Sequence, residues 1–167
     1  NTGTSEIYWS SIANATSYKL YLNGVLLDTI LAEDIPTSGV PYILDKTSAG
    51  VYTAKVVAIH DTDPFLYRTS SDSNTVDYTV IKLDTPVITK EAGVNTFNWD
   101  AVSHANNFIV MLKTGENDWD EEYDSTVFNT YTFSSLSAGS YTTRIRAEVT
   151  GQSANPNPKY ISSNLSN

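Results

Sequence analysis

The densest group of chemically capable side chains in this 167-residue chain is the run Asp118-Trp119-Asp120-Glu121-Glu122-Tyr123-Asp124. Two carboxylates can share acid–base work when they converge across one bond. Successive side chains on an extended strand point to opposite faces, so these acids would not converge on one substrate. A carboxylate-rich loop also suits a hard cation such as Ca²⁺. The run lacks the Asp-x-Asp-x-Asp-Gly spacing that wraps such an ion, and Asp61-Thr62-Asp63 is a shorter version of the same idea. A solvated acidic edge that discourages strand pairing accounts for the run more simply. No metal and no cofactor is expected.

Trp119 stands inside this run, with Tyr123 close by. An exposed aromatic ring beside hydrogen-bonding carboxylates is what a sugar-stacking platform needs, and also what a protein hot spot needs. The plainer reading is a ring partly buried against a sheet edge. The candidate ligand-binding set is therefore Trp119 and Tyr123 with Asp118 and Asp120. Phe65 and Tyr67 form a second exposed-aromatic candidate.

Other chemistries find no residues to carry them. The two histidines, His60 and His104, have no metal-binding spacing and read as loop residues. There is no Gly-x-Ser-x-Gly elbow and no Gly-rich phosphate loop. With no Cys there is neither a disulfide nor a thiolate site. No enzyme is expected, because neither convergent acids nor a nucleophile with its base can be assembled. The net charge of −9, with acids spread over both halves of the chain, repels phosphate backbones and anionic membrane surfaces. No apolar run approaches the ~20 residues that span a bilayer.

The elements that must position the candidates come from an internal repeat. Residues 7–22, IYWSSIANATSYKLYL, match residues 97–112, FNWDAVSHANNFIVML, at an offset of 90. This pairs Trp9 with Trp99, Ala15 with Ala105 and Tyr18 with Phe108. Residues 42–58 match 131–147 at an offset of 89, pairing Ser48-Ala49-Gly50 with Ser137-Ala138-Gly139 and Tyr52 with Tyr141. Ser73-Asn74 and Ser163-Asn164 form a third block at 90. A period this long marks duplicated domains, residues 1–82 and 83–167. Tyr18, Leu20 and Leu22 alternate along the chain, as do Phe108, Val110 and Leu112, and period two predicts strands. No segment shows a 3.6-residue apolar period. The junction Tyr78–Pro86 has no Gly/Ser run, which predicts closely joined modules.

The Trp strand, the following Ala-x-x-Tyr/Phe strand and the Ala-Gly-x-Tyr turn together resemble fibronectin type III domains, most of all those of bacterial secreted and surface proteins. The resemblance covers nearly the whole chain, twice. It implies an all-β fold of two tandem antiparallel β-sandwich domains, fibronectin type III-like. It also implies core positions for Trp9, Trp99, Tyr52 and Tyr141, with each tyrosine hydroxyl bonded to upstream backbone. Three departures stand out: Thr47 replaces Leu136, the first repeat has a missing or short strand A before Ile7, and the second has a truncated strand G. Leu83–Lys90, with Pro86, looks like a full strand A for the second repeat. Both ends read as cuts from a longer array. The functional expectation is a non-catalytic extracellular or cell-surface spacer, monomeric within a longer multidomain chain. The alternative is a module that binds polysaccharide or a protein ligand around Trp119. The adhesion tripeptide Arg-Gly-Asp is absent.

Overall fold

A computed structural model describes residues 6–35, 41–44, 46–62 and 68–167. Among the described residues all regular structure is β, apart from one turn of 3₁₀ helix at Ala32–Asp34. The strands are β1 Glu6–Ile7, β2 Ser17–Leu22, β3 Val25–Leu31, β4 Tyr42–Ile43, β5 Gly50–Ile59, β6 Val76–Lys82 and β7 Ile88–Lys90. They continue with β8 Thr96–Trp99, β9 Asn107–Thr114, β10 Trp119–Thr126, β11 Thr130–Thr132, β12 Tyr141–Glu148 and β13 Lys159–Ile161. Every strand pair described is antiparallel. The chain divides into two compact units, Asn1–Val80 with Ser153–Lys159, and Ile81–Gln152 with Tyr160–Asn167. Among the described residues no helix is long and apolar enough to cross a membrane.

In unit 1, β2 and β3 form a hairpin on Asn23-Gly24, both with positive φ (50° and 80°). Such a two-residue turn matches the right-handed twist of the strands it joins and needs residues that tolerate that backbone region. The ladder runs β3-β2-β5-β6, while β1 pairs with β4 in a second, two-stranded sheet. Tyr18, Leu20 and Leu22 alternate toward the buried side of β2, as the sequence pattern predicts. Asn157 lies against β6 through its side-chain amide, which donates to the Asp77 carbonyl and accepts from the Thr79 amide, both at 3.0 Å.

Unit 2 has two three-stranded sheets, β10-β9-β12 and β11-β8-β7. Its core draws on both: Trp99 from β8, Phe108, Val110 and Leu112 from β9, Ile145 and Ala147 from β12, with Leu83 and Phe133. The layers interdigitate in a β-sandwich-like arrangement. Aromatic rings meet edge-on at the centre, Trp99 on Phe108 at 5.3 Å and Phe97 on Phe133 at 5.6 Å. The central strand β9 is buried on both faces from Phe108 to Leu112, which explains its unbroken apolar run.

Three devices recur in the two units. First, the Tyr52 hydroxyl donates to the Ser48 carbonyl at 2.8 Å and the Tyr141 hydroxyl to the Ser137 carbonyl at 3.0 Å. Two residues before each ring stands a glycine over which the ring folds; a Cβ on Gly139 would lie 3.4 Å from the Tyr141 ring, in contact with it. Second, an aspartate on the strand that follows β2 or β9 lies near a tyrosine of the facing sheet: Asp124 accepts the Tyr131 hydroxyl at 2.6 Å, and the charge of Asp28 helps to raise the Tyr42 phenol. In both, the carboxylate also accepts the next amide, from Thr29 and Ser125, at 2.7 Å.

Third, two serines three residues apart serve the long strand before them. Ser70 and Ser73 accept from the Ala58 and Val56 amides, and Ser163 and Ser166 accept from those of Ala147 and Ile145, all at 2.9 Å. Their own amides donate back to the same four residues. This equates Ser70 with Ser163 and Ser73 with Ser166. The pairing of Ser73-Asn74 with Ser163-Asn164 drawn from the sequence is thus three positions out of register. The identical dipeptide was a coincidence within a Ser-x-x-Ser spacing.

The expected core also needs correction. Trp99 is buried, but Trp9, Tyr52 and Tyr141 are half-buried. The tyrosines sit at the rim because their hydroxyls must reach exposed turn carbonyls. Trp9 follows the end of β1 and borders two clefts.

Candidate functional site

The candidate residues around Trp119 lie on or beside β10, the edge strand of the sheet β10-β9-β12. Trp119 pairs with Lys113, and Leu112 on the other side of that position belongs to the core, so Trp119 faces outward. The ring is half-buried. Arg144, outward-facing on β12 beside core residue Ile145, places its guanidinium carbon 4.6 Å from the ring centroid. A guanidinium stacked on indole is a favourable cation–π contact, and it occupies one face of the ring a planar ligand would need.

Tyr123 turns the other way. Between Asp120 and Asp124 the register of β10 slips against β9, and an irregularity of this kind re-aims side chains. The Tyr123 ring lies 5.4 Å from Phe133 of the core and remains 38% exposed. Trp119 and Tyr123 therefore do not share a platform. Asp118 and Asp120 are exposed, Asp118 just before β10 and Asp120 opposite Leu112. Phe65 and Tyr67 lie outside the described residues.

Asp124 has a defined task. Its carboxylate takes the Tyr131 hydroxyl and the Ser125 amide, and these bonds hold it below the usual carboxylate range. Burial, then the Asp124 bond and charge, push the Tyr131 phenol up to about 12. The same causes, burial first and then Asp28, raise the Tyr42 phenol in unit 1. Glu122 lies at the outward face, 4.0 Å from Arg146, which is held more closely by Glu148 at 2.9 Å. The acids of the run are thus divided between a clasp across the sandwich edge, an outward ion-pair group and solvent. Among the described residues no cluster of three or more His, Asp or Glu could hold a metal ion.

The histidines are placed by turns. His104, with φ of 67°, stacks on Tyr160 at 4.7 Å. The His60 ring bonds the Asn14 carbonyl and the Thr62 hydroxyl. Asp61 accepts the Thr16 hydroxyl, which lowers its pKa.

The outward surface that surrounds Trp119 includes Arg144 and Arg146, which were not among the sequence candidates. The signal was present in Arg144-Ile145-Arg146, where alternation around a core isoleucine puts both cations on the outer face, across the ladder from Met111 and Ile109. No family model matches the chain, and no curated protein matches it.

Proposed function

We propose that the chain is a pair of tandem fibronectin type III-like modules serving as a non-catalytic spacer in an extracellular or cell-surface protein of bacterial type. The observation that carries this reading is the duplication of structural devices. The tyrosine–carbonyl bond and the Ser-x-x-Ser pair each occur twice. Both stabilise edges and strand ends, and neither leaves a group poised for chemistry. The acidic run supports the same reading: Asp124 is spent on the clasp, and Trp119 carries Arg144 on its ring. An edge strand bearing acids also resists strand addition by neighbours, which suits a module repeated in series.

The test is retention of the purified protein on a panel of soluble polysaccharides in native electrophoresis, with Trp119→Ala alongside. The spacer reading predicts no retardation of either protein. Retardation that Trp119→Ala abolishes would replace it with a carbohydrate-binding module sited on unit 2.

A further inference from the structure

Each unit closes one sheet with a strand whose outer side pairs with no strand among the described residues, β3 in unit 1 and β10 in unit 2. Backbone N–H groups alternate in direction along an antiparallel strand. The Ala32 amide donates to the Thr16 carbonyl, across the β2–β3 ladder. The amides of Ile30 and Asp28 therefore point to β2, and that of Thr29 points to the open side. In unit 2 the Gly115 amide bonds Ser140, so odd-numbered residues of β9 serve β12 and even-numbered ones serve β10. Phe108 and Val110 thus bond Thr126 and Asp124, which leaves the Ser125 amide on the open side. Both outward amides are already taken. The Asp28 carboxylate accepts from Thr29 and the Asp124 carboxylate from Ser125, each at 2.7 Å. The two aspartates stand opposite the core residues Leu20 and Val110, so each is a charge on the core-facing side at the rim of its sheet. An inward-pointing charge on an edge strand is one of the ways in which sheets resist strand addition.

The two edges are otherwise unlike. β10 carries Asp120, Glu121, Glu122 and Asp124, and a second copy laid against it would oppose like charges. β3 reads Val25-Leu26-Leu27-Asp28-Thr29-Ile30-Leu31, with one acid among five aliphatic residues. Val25 is 70% exposed and Leu31 50%. An exposed apolar edge of this kind pairs with its own copy unless something blocks it. We propose that Asp28 is the residue that keeps β3 from pairing with β3 of a second copy of the chain, by holding the Thr29 amide that the pairing needs. Antiparallel registers centred on Asp28, Thr29 or Ile30 set Thr29 against Leu27, Thr29 or Leu31 of the other copy, and all of them use that amide. The register centred on Asp28 also sets two like charges face to face. The register centred on Thr29 brings Leu27 against Leu31, but it covers the Asp28 carboxylate with Ile30 and offers it no cation, which is costly. Once Asp28 is removed, this last register has no opposing term. A seven-residue strand pair buries well under the ~1,200 Å² of stable complexes, so the freed edge gives a weak, reversible dimer. The role of Asp28 is independent of the spacer reading.

The test compares the full chain with Asp28→Ala, Asp28→Asn and Asp124→Ala by sedimentation velocity and by amide exchange of ¹⁵N-labelled protein, from about 10 μM to about 1 mM. Asp28→Ala should form a dimer with a Kd of about 100 μM, at least about tenfold tighter than the parent. When dilute it should exchange the Thr29 amide about tenfold faster than the parent, because the bond to the carboxylate is gone. When concentrated it should slow that amide again as the strands pair. Asp28→Asn is close in shape and keeps an acceptor without the charge, so its bond to Thr29 is weaker. It should self-associate more than the parent and less than Asp28→Ala, and it decides the question if the alanine variant does not fold. Asp124→Ala should stay monomeric, because the other acids of β10 remain. Leu31→Lys added to Asp28→Ala should restore the monomer. Asp28 variants that stay monomeric at about 1 mM, a parent that self-associates as tightly as they do, or concentration-dependent shifts that spare β3 would each overturn the proposal. So would an Asp124→Ala variant that dimerises as tightly as Asp28→Ala.

Discussion

Ser166→Ala isolates one buried hydrogen bond in unit 2. The Ser166 hydroxyl accepts the Ile145 amide at 2.9 Å, and the two residues are 2% and 1% exposed. The reciprocal bond, from the Ser166 amide to the Ile145 carbonyl at 3.0 Å, uses backbone alone and survives the substitution. What remains is a buried amide without an acceptor, which costs about 1–3 kcal/mol. Ser73→Ala removes the equivalent bond to Val56 in unit 1, where the site is only part-buried and water can replace the hydroxyl. The smaller penalty expected there is about 0.5–1 kcal/mol. A chain of two units need not unfold in one step, so a single global midpoint is a poor readout. Residue-resolved amide exchange in sub-denaturing urea reads each unit separately. Ser166→Ala should speed exchange at Ile145 and lower the opening free energy across β9 and β12. An unchanged Ile145 rate, with unit 2 stability within about 0.3 kcal/mol of the parent, would refute the claim that this serine completes the strand. So would a larger loss in Ser73→Ala.

The Asp124–Tyr131 clasp makes stability depend on pH at both extremes. Asp124 is depressed, so its contribution is present above the ordinary aspartate pKa of 3.8 and is lost as pH falls through the lower folded value. Tyr131 is raised, so its contribution is intact below pH 10 and is lost as pH rises toward about 12. Urea midpoints of unit 2 should fall in both windows, and Tyr131→Phe should flatten both; equal pH dependence in the variant would contradict the clasp. Trp99→Ala should cost about 3–5 kcal/mol, as for other large core aromatics. Trp9→Ala should cost distinctly less, because that ring is half-buried; equal losses in chemical denaturation would show that Trp9 is as deeply packed as Trp99.

Much of the β architecture was legible because period-two alternation survives in both repeats. Tyr18-Leu20-Leu22 and Phe108-Val110-Leu112 face inward as read. The tyrosine hydroxyl bonds were expected from the resemblance that Ala-Gly-x-Tyr carries, and both are present. The serine pairs were misaligned because their function lies in a three-residue spacing, whereas the eye follows the identical dipeptide. The Asp124–Tyr131 clasp was hidden because Asp28 and Asp124 stand at an offset of 96, not 89 or 90, once hairpin lengths differ. Within the acidic run, composition could not separate Asp124 from its neighbours. The irregularity between Asp120 and Asp124 decides which side chains point in, and it has no local sequence signature. That same irregularity separates Trp119 from Tyr123.

The most direct measurement for the spacer reading is the Trp119 indole signal in a ¹⁵N–¹H spectrum of the full chain during titration with soluble polysaccharides. This signal and that of the Arg144 side chain should stay in place throughout, because the guanidinium already occupies one face of the half-buried ring. A saturable shift of both signals, with release of Arg144 from the ring, would contradict it and place a carbohydrate site on the outer face of β10.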